Sequence, residues 1–161
     1  MTHSSRRDRA APGAWIVLFA IALLGMLAGC ATSTDTSPAA EKQRIEAALQ
    51  GTPAVTKLRG DNSLGVDIPL RSSFERGGAS IKPPLATVLD RLAASQRNES
   101  THLLVRAPTD PGAKALALGM QRAVTTREYL IERGLDASRF SVSAVAREPT
   151  VRIIITASAA P

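Results

Sequence analysis

Residues 64 to 157 predict a two-layer α/β (α+β) sandwich, a mixed sheet with helices on one face. Three observations predict it. After Pro83-Pro84, Leu85, Val88, Leu89 and Leu92 recur at the i, i+3, i+4, i+7 spacing of a one-faced helix. A second helical pattern runs from about Ala113 to Arg133, with Leu116, Met120, Ala123, Val124, Leu130 and Ile131 as its stripe and Gly134 placed to end it. Between and after them lie segments of alternating polarity, so the order is strand, helix, strand, helix, strand, strand. Helices of that kind must bury their stripes against a sheet.

The 161-residue chain opens with Arg6, Arg7 and Arg9 and then runs uncharged from Ala10 to Gly29. This is the charged and apolar pattern of an export signal. Leu27-Ala28-Gly29-Cys30 closes it, and small residues before the only cysteine resemble the lipobox of bacterial lipoproteins. The resemblance implies cleavage before Cys30 and acylation of its thiol. An ordinary signal peptide or a short membrane anchor is the other reading; a spanning helix needs about 20 apolar residues, and the apolar run here is shorter. Arg6-Arg7 is only a weak twin-arginine pattern, because Asp8-Arg9 follow where hydrophobic residues belong. One acyl chain holds a protein marginally, whereas the lipoprotein pattern implies three and a permanent tether. Ala31 is not the aspartate that retains such proteins at the inner membrane, which points to the periplasmic face of the outer membrane.

Removing the first 29 residues takes away three arginines and one aspartate and lowers the net charge from +6 to +4. The remainder suffices for one small domain. Its bases are scattered and aromatics are 3% of the chain, so no nucleic-acid partner is expected. With Cys30 acylated, disulfide, metal and thiol chemistry fall away. No cofactor and no metal site are expected.

The sequence divides into a signal peptide over 1–29, the lipidated cysteine and a flexible spacer over 30–40, a lead-in over 41–63, the main domain over 64–157 and a tail over 158–161. The spacer is rich in Ser, Thr, Ala and Pro. Ala40 to Gln50 reads as a short helix through Ile45 and Leu49, with Gly51 as a stop. Val55 to Arg59 and Leu64 to Leu70 flank the turn cluster Gly60-Asp61-Asn62-Ser63 and predict a hairpin, with Val66, Ile68 and Leu70 on one face. Asn98-Glu99-Ser100 ends the first long helix. From His102 to Ala107, Leu103 and Val105 share one face and His102, Leu104 and Arg106 the other. Arg139 to Ala146 alternates through Phe140, Val142 and Ala144, and Val151 to Thr156 supplies the last strand.

Phe74-Glu75-Arg76-Gly77-Gly78-Ala79-Ser80-Ile81-Lys82-Pro83 resembles the opening of the OmpA-like C-terminal domain, a family found also in peptidoglycan-associated lipoproteins. Thr109-Asp110 matches the end of its Gly-His-Thr-Asp strand, Leu118 to Ala123 its Leu-Ser-x-x-Arg-Ala helix, and Val151-Arg152-Ile153 its closing strand. The resemblance implies a β-α-β-α-β-β mixed sheet and non-covalent binding of peptidoglycan through the diaminopimelate of the stem peptide. Such a ligand end carries an ammonium and a carboxylate on one carbon, which one acid and one bidentate base can hold. The resemblance places Asp110, with Thr109 beside it, on the ammonium and Arg122 on the carboxylate. From spacing alone, Asp110 as a helix cap and Arg122 in a surface pair stand as the alternative.

Several residues depart from the family. Ala107-Pro108 replaces Gly-His, the stretch from Asp110 to Arg122 is shorter, and Ala115 and Gly119 stand for Asn and Ser. Glu148-Pro149-Thr150 falls where the family has Asn-Arg-Arg, so a base that helps hold the ligand is missing. Arg152, two positions on from Thr150, is an auxiliary candidate, as is Arg147; a solvated role is open for both. Arg127 lies near the helix stripe and can lay its stem across the core. In the family's strand order the last strand lies between the first two, so the short link 147–150 must cross a neighbouring strand; a local hairpin is the alternative.

An enzyme is not expected. After the signal the only histidine is His102, in a strand, and no Gly-x-Ser-x-Gly, metal-spaced cluster or phosphate loop occurs. The rival to cell-wall binding is a module that keeps the fold and serves as an adaptor for other envelope proteins.

Overall fold

The computed structural model describes residues 37–110 and 116–158. The proposed signal, Cys30 and most of the spacer lie outside the described residues, as does the expected start of the second long helix. The elements are helix α1 (Pro38–Ala48), strands β1 (Val55–Leu58) and β2 (Leu64–Pro69), a four-residue helix α2 (Leu70–Ser73), α3 (Pro83–Gln96), β3 (Thr101–Pro108), α4 (Ala117–Glu132), a 3-10 turn at Ala137–Arg139, β4 (Phe140–Val145) and β5 (Thr150–Ala157).

The strands form one mixed sheet in the order β1-β2-β5-β3-β4. β1 and β2 make the expected antiparallel hairpin, and β3 and β4 pair in parallel. β5 runs antiparallel between β2 and β3, with Val66 opposite Ile153 and Val105 opposite the same residue on the other side. The crossover order is therefore the one present, and the local hairpin is not formed. Four residues, 146–149, join β4 to β5 across the end of β3. Two strand spacings come to about 10 Å, and a chain of that length extends to roughly 17 Å, so the short link suffices. Arg147 takes the left-handed φ of 62° there.

The core lies between the sheet and the helices. Leu85, Val88, Leu89 and Leu92 of α3 are fully buried against Leu103, Val105, Ile153 and Val66. Period-two and period-3.6 patterns both met a partner surface there. α1 also belongs to this core. It begins at Pro38, so residues 38–40 are helix rather than spacer, and the Ser37 hydroxyl accepts from the Ala40 N–H as its cap. Ile45 and Leu49 are buried, Gln96 Nε2 donates to Glu41 at 2.8 Å, and Arg44 pairs with Glu99 at 3.0 Å.

Of the expected α4 stripe, Ala123 and Leu130 are fully buried and Val124 and Ile131 half-buried, whereas its first two residues face outward. Leu116 and Met120 are 48% and 41% exposed, while Gly119, Arg122, Ala123, Thr126 and Leu130 are the residues turned inward. Gly119 sets that face. A Cβ on it would sit 2.8 Å from the Ala107 carbonyl oxygen and 3.2 Å from Ala144 Cβ. Backbone approach of this kind fixes how the helix is rolled on the sheet. Gly119→Ala gains at most about 1 kcal/mol of helix propensity but forces overpacking that costs typically 1–3 kcal/mol. A net loss of stability is expected in urea unfolding; an unchanged midpoint would show that α4 is not seated as described.

Candidate functional site

The carboxyl end of β3, the loop after α2 and the crossover link meet at a cleft of about 790 Å³. Its walls include Leu70, Phe74, Pro149, Arg71, Arg76, Lys82, Glu75, Asp110 and Glu148. Apolar surface and charges of both signs thus face one space. Leu70 is held there by donating its N–H to the Pro149 carbonyl at 2.9 Å, and Phe74 bridges to Ile81.

Asp110 lies two residues past the end of β3 and is partly exposed. Arg122 is buried, and its guanidinium is almost fully bonded within the protein. Nε donates to the Gly78 carbonyl at 2.8 Å, Nη1 to Pro108 at 3.0 Å, and Nη2 to Glu75 at 3.1 Å and to Asp110 Oδ1 at 2.7 Å. Its central carbon stands 5.3 Å from the Phe74 ring centroid. A buried guanidinium needs such a set, because it stays charged and an unpaired buried charge is strongly destabilising. Gly77, with φ of +73°, turns the loop so that its N–H donates to the other Asp110 oxygen.

These bonds hold the Asp110 carboxyl below its ordinary value of 3.8, the Arg122 hydrogen bond first, burial opposing it, then the Gly77 N–H and the charges of Arg122 and Arg76. A lowered carboxyl stabilises the fold above the unfolded value and loses that contribution as pH falls through the folded one. Acid unfolding of the protein is therefore expected to be shallower in Asp110→Asn below about pH 4. Identical acid limbs would show that Asp110 is not coupled to folding.

The structure brings Asp110, Thr109 and Arg122 together, and of the three only Asp110 lines the cleft. Thr109 is buried, with its N–H donated to the Val145 carbonyl at 3.2 Å. Arg152 lies on the sheet face away from the helices, hydrogen-bonded to Asp67 and 3.6 Å from Glu148. Asp67 holds the Arg152 guanidinium above its ordinary value. Glu148 also accepts from Arg106 at 3.0 Å, which ties down the crossover link. Arg127 pairs with Glu128, and its buried Nε has no partner among the described residues. No sequence pattern singles out Arg71, Arg76 or Lys82 as site residues. Arg76 and Lys82 stood within the family-like opening motif, but nothing in the pattern turns them toward Asp110, 28 or more residues away.

Among the described residues no group of three His, Cys, Asp or Glu is placed to hold a metal, and no helix is long and apolar enough to cross a membrane.

No family model matches the chain, and no curated protein matches it. Solved structures share its architecture. A MotB-like protein from Desulfovibrio vulgaris is 11% identical with a TM-score of 0.64, covering 76% of this chain and 93% of that one. The cell wall anchor of the T6SS from Pseudomonas aeruginosa is 21% identical with a TM-score of 0.59, covering 73% and 97%. The OmpA-like domain of FopA1 from Francisella tularensis is 16% identical with a TM-score of 0.50, covering 65% and 79%. The fold is OmpA-like.

Proposed function

We propose that this protein holds peptidoglycan without covalent chemistry, taking the diaminopimelate end of a stem peptide into the cleft beside Asp110. The observation that carries the reading is the cleft itself, which gathers an ionised carboxylate, free bases and an apolar wall at the end of β3. One of the structures sharing the fold is described as a cell wall anchor, which supports the same partner. Asp110 accepts the ligand's ammonium, and Arg122 stands behind it, fixing the carboxylate and the loop 75–78 from within. Thr109 holds the strand end in register, and Arg152 braces Glu148 and the link. The protein is a binding module rather than an enzyme.

The anchoring half of the proposal rests on Leu27-Ala28-Gly29-Cys30. An acylated Cys30 places the domain at the periplasmic face of the outer membrane. Fatty-acid labelling that disappears in Cys30→Ala is the expected result, and labelling that persists would remove the lipid anchor.

For the ligand, the full chain in detergent micelles is expected to sediment with insoluble peptidoglycan sacculi and to stay in the supernatant as Asp110→Ala. Glu148 in the place of a family base favours the second reading, an adaptor for envelope proteins. Wild-type protein that stays in the supernatant would decide for it.

A further inference from the structure

If the cleft takes a zwitterionic group, something must meet its carboxylate, and Arg122 is not placed to do so. Its side chain is 1% exposed, it does not line the cleft, and four of its five N–H groups are already donated inside the protein. The cleft wall holds three other cations. Lys82 is engaged, donating to the Arg71 carbonyl at 3.3 Å and lying 3.5 Å from Glu75. Arg71 and Arg76 line the same wall, are exposed, and make no ion pair or side-chain hydrogen bond among the described residues.

We propose that Arg71 and Arg76 form the anion-recognising part of the cleft that Asp110 also lines, so that it selects a free α-amino-acid end: an ammonium and a carboxylate on one carbon. The assignment rests on the reading that the cleft holds a stem peptide. Two guanidinium groups offer the planar forks that suit a carboxylate, and their freedom from internal partners leaves those forks for a ligand. Asp110 keeps accepting capacity, since each oxygen has one donor from the protein and room for another. Phe74 and Leu70 supply the apolar wall against which the side-chain methylenes of the ligand lie. The division of labour is that Arg122 builds the site and Arg71 and Arg76 read the ligand.

The test is calorimetric titration of the full chain in detergent micelles with two muropeptides, one carrying diaminopimelate and one carrying lysine at the same position, which lacks the terminal carboxylate. Wild type is expected to prefer the first. Arg71→Gln with Arg76→Gln is expected to weaken binding of the diaminopimelate fragment tenfold or more, to leave the lysine fragment within about twofold, and to abolish the preference. Because both arginines are exposed and unpaired, the double variant is expected to melt with wild type. Wild-type affinity for the diaminopimelate fragment in the double variant would overturn the assignment and leave the peptidoglycan reading standing. An equal loss for both fragments would also overturn it, since that is a general charge effect. Wild type that binds neither fragment would overturn both.

Discussion

Replacing Arg122 with alanine is expected to lower the melting temperature by roughly 10–20 °C, the equivalent of about 3–5 kcal/mol. The loss has three sources. The carbonyls of Gly78, Pro108 and Glu75 lose their donor, Asp110 loses its partner, and Phe74 loses the group packed on its ring. The buried Pro108 carbonyl and the cavity left by the buried side chain carry most of that cost, because that acceptor has no water to replace the guanidinium. Arg122→Lys keeps the charge but not the fork, so it should recover only part of the stability. Thermal unfolding followed by circular dichroism decides; a shift under 3 °C for the alanine variant would mean that the loop 75–78 and Asp110 stand without it.

Ile45→Ala is expected to cost about 2–5 kcal/mol, as for other fully buried aliphatic side chains cut to alanine. Ile45 is completely buried although it lies outside the segment that resembles the family. Urea unfolding with an unchanged midpoint would show α1 to be an ornament; a single lower midpoint would show that it melts with the sheet.

Much of the fold was legible because pattern and partner agreed. The α3 stripe buries the residues expected, and the alternation in β3 and β5 gives Leu103, Val105, Val151, Ile153 and Ile155 to the core. In α4 the pattern held for Ala123 and Leu130 and failed for Leu116 and Met120, for a physical reason. Its inner face consists of Gly119, Arg122, Ala123, Thr126 and Leu130, which have helical spacing but little hydrophobicity, while Leu116 and Met120 advertise the wrong side. A helix pressed against backbone needs small residues, and a buried arginine needs carbonyls, and neither shows in a hydrophobic pattern. Asp110 could be read as a site residue from the resemblance. The cleft around it could not, since Arg71, Glu148 and Asp110 converge only through the crossover of β5. The four-residue α2 left no periodicity to detect.

The capped start of α1 also sets a leash length. With Cys30 as the proposed anchor and Ser37 already fastened to the domain, seven residue steps lie between them, and covalent geometry lets these reach at most about 25 Å. Were the proposed anchor present, covalent reach plus a domain diameter of roughly 35 Å would bound the distance from the lipid surface to the cleft at about 60 Å. On the proposed anchor, that reach and not the affinity of the cleft would set the widest gap the protein could bridge.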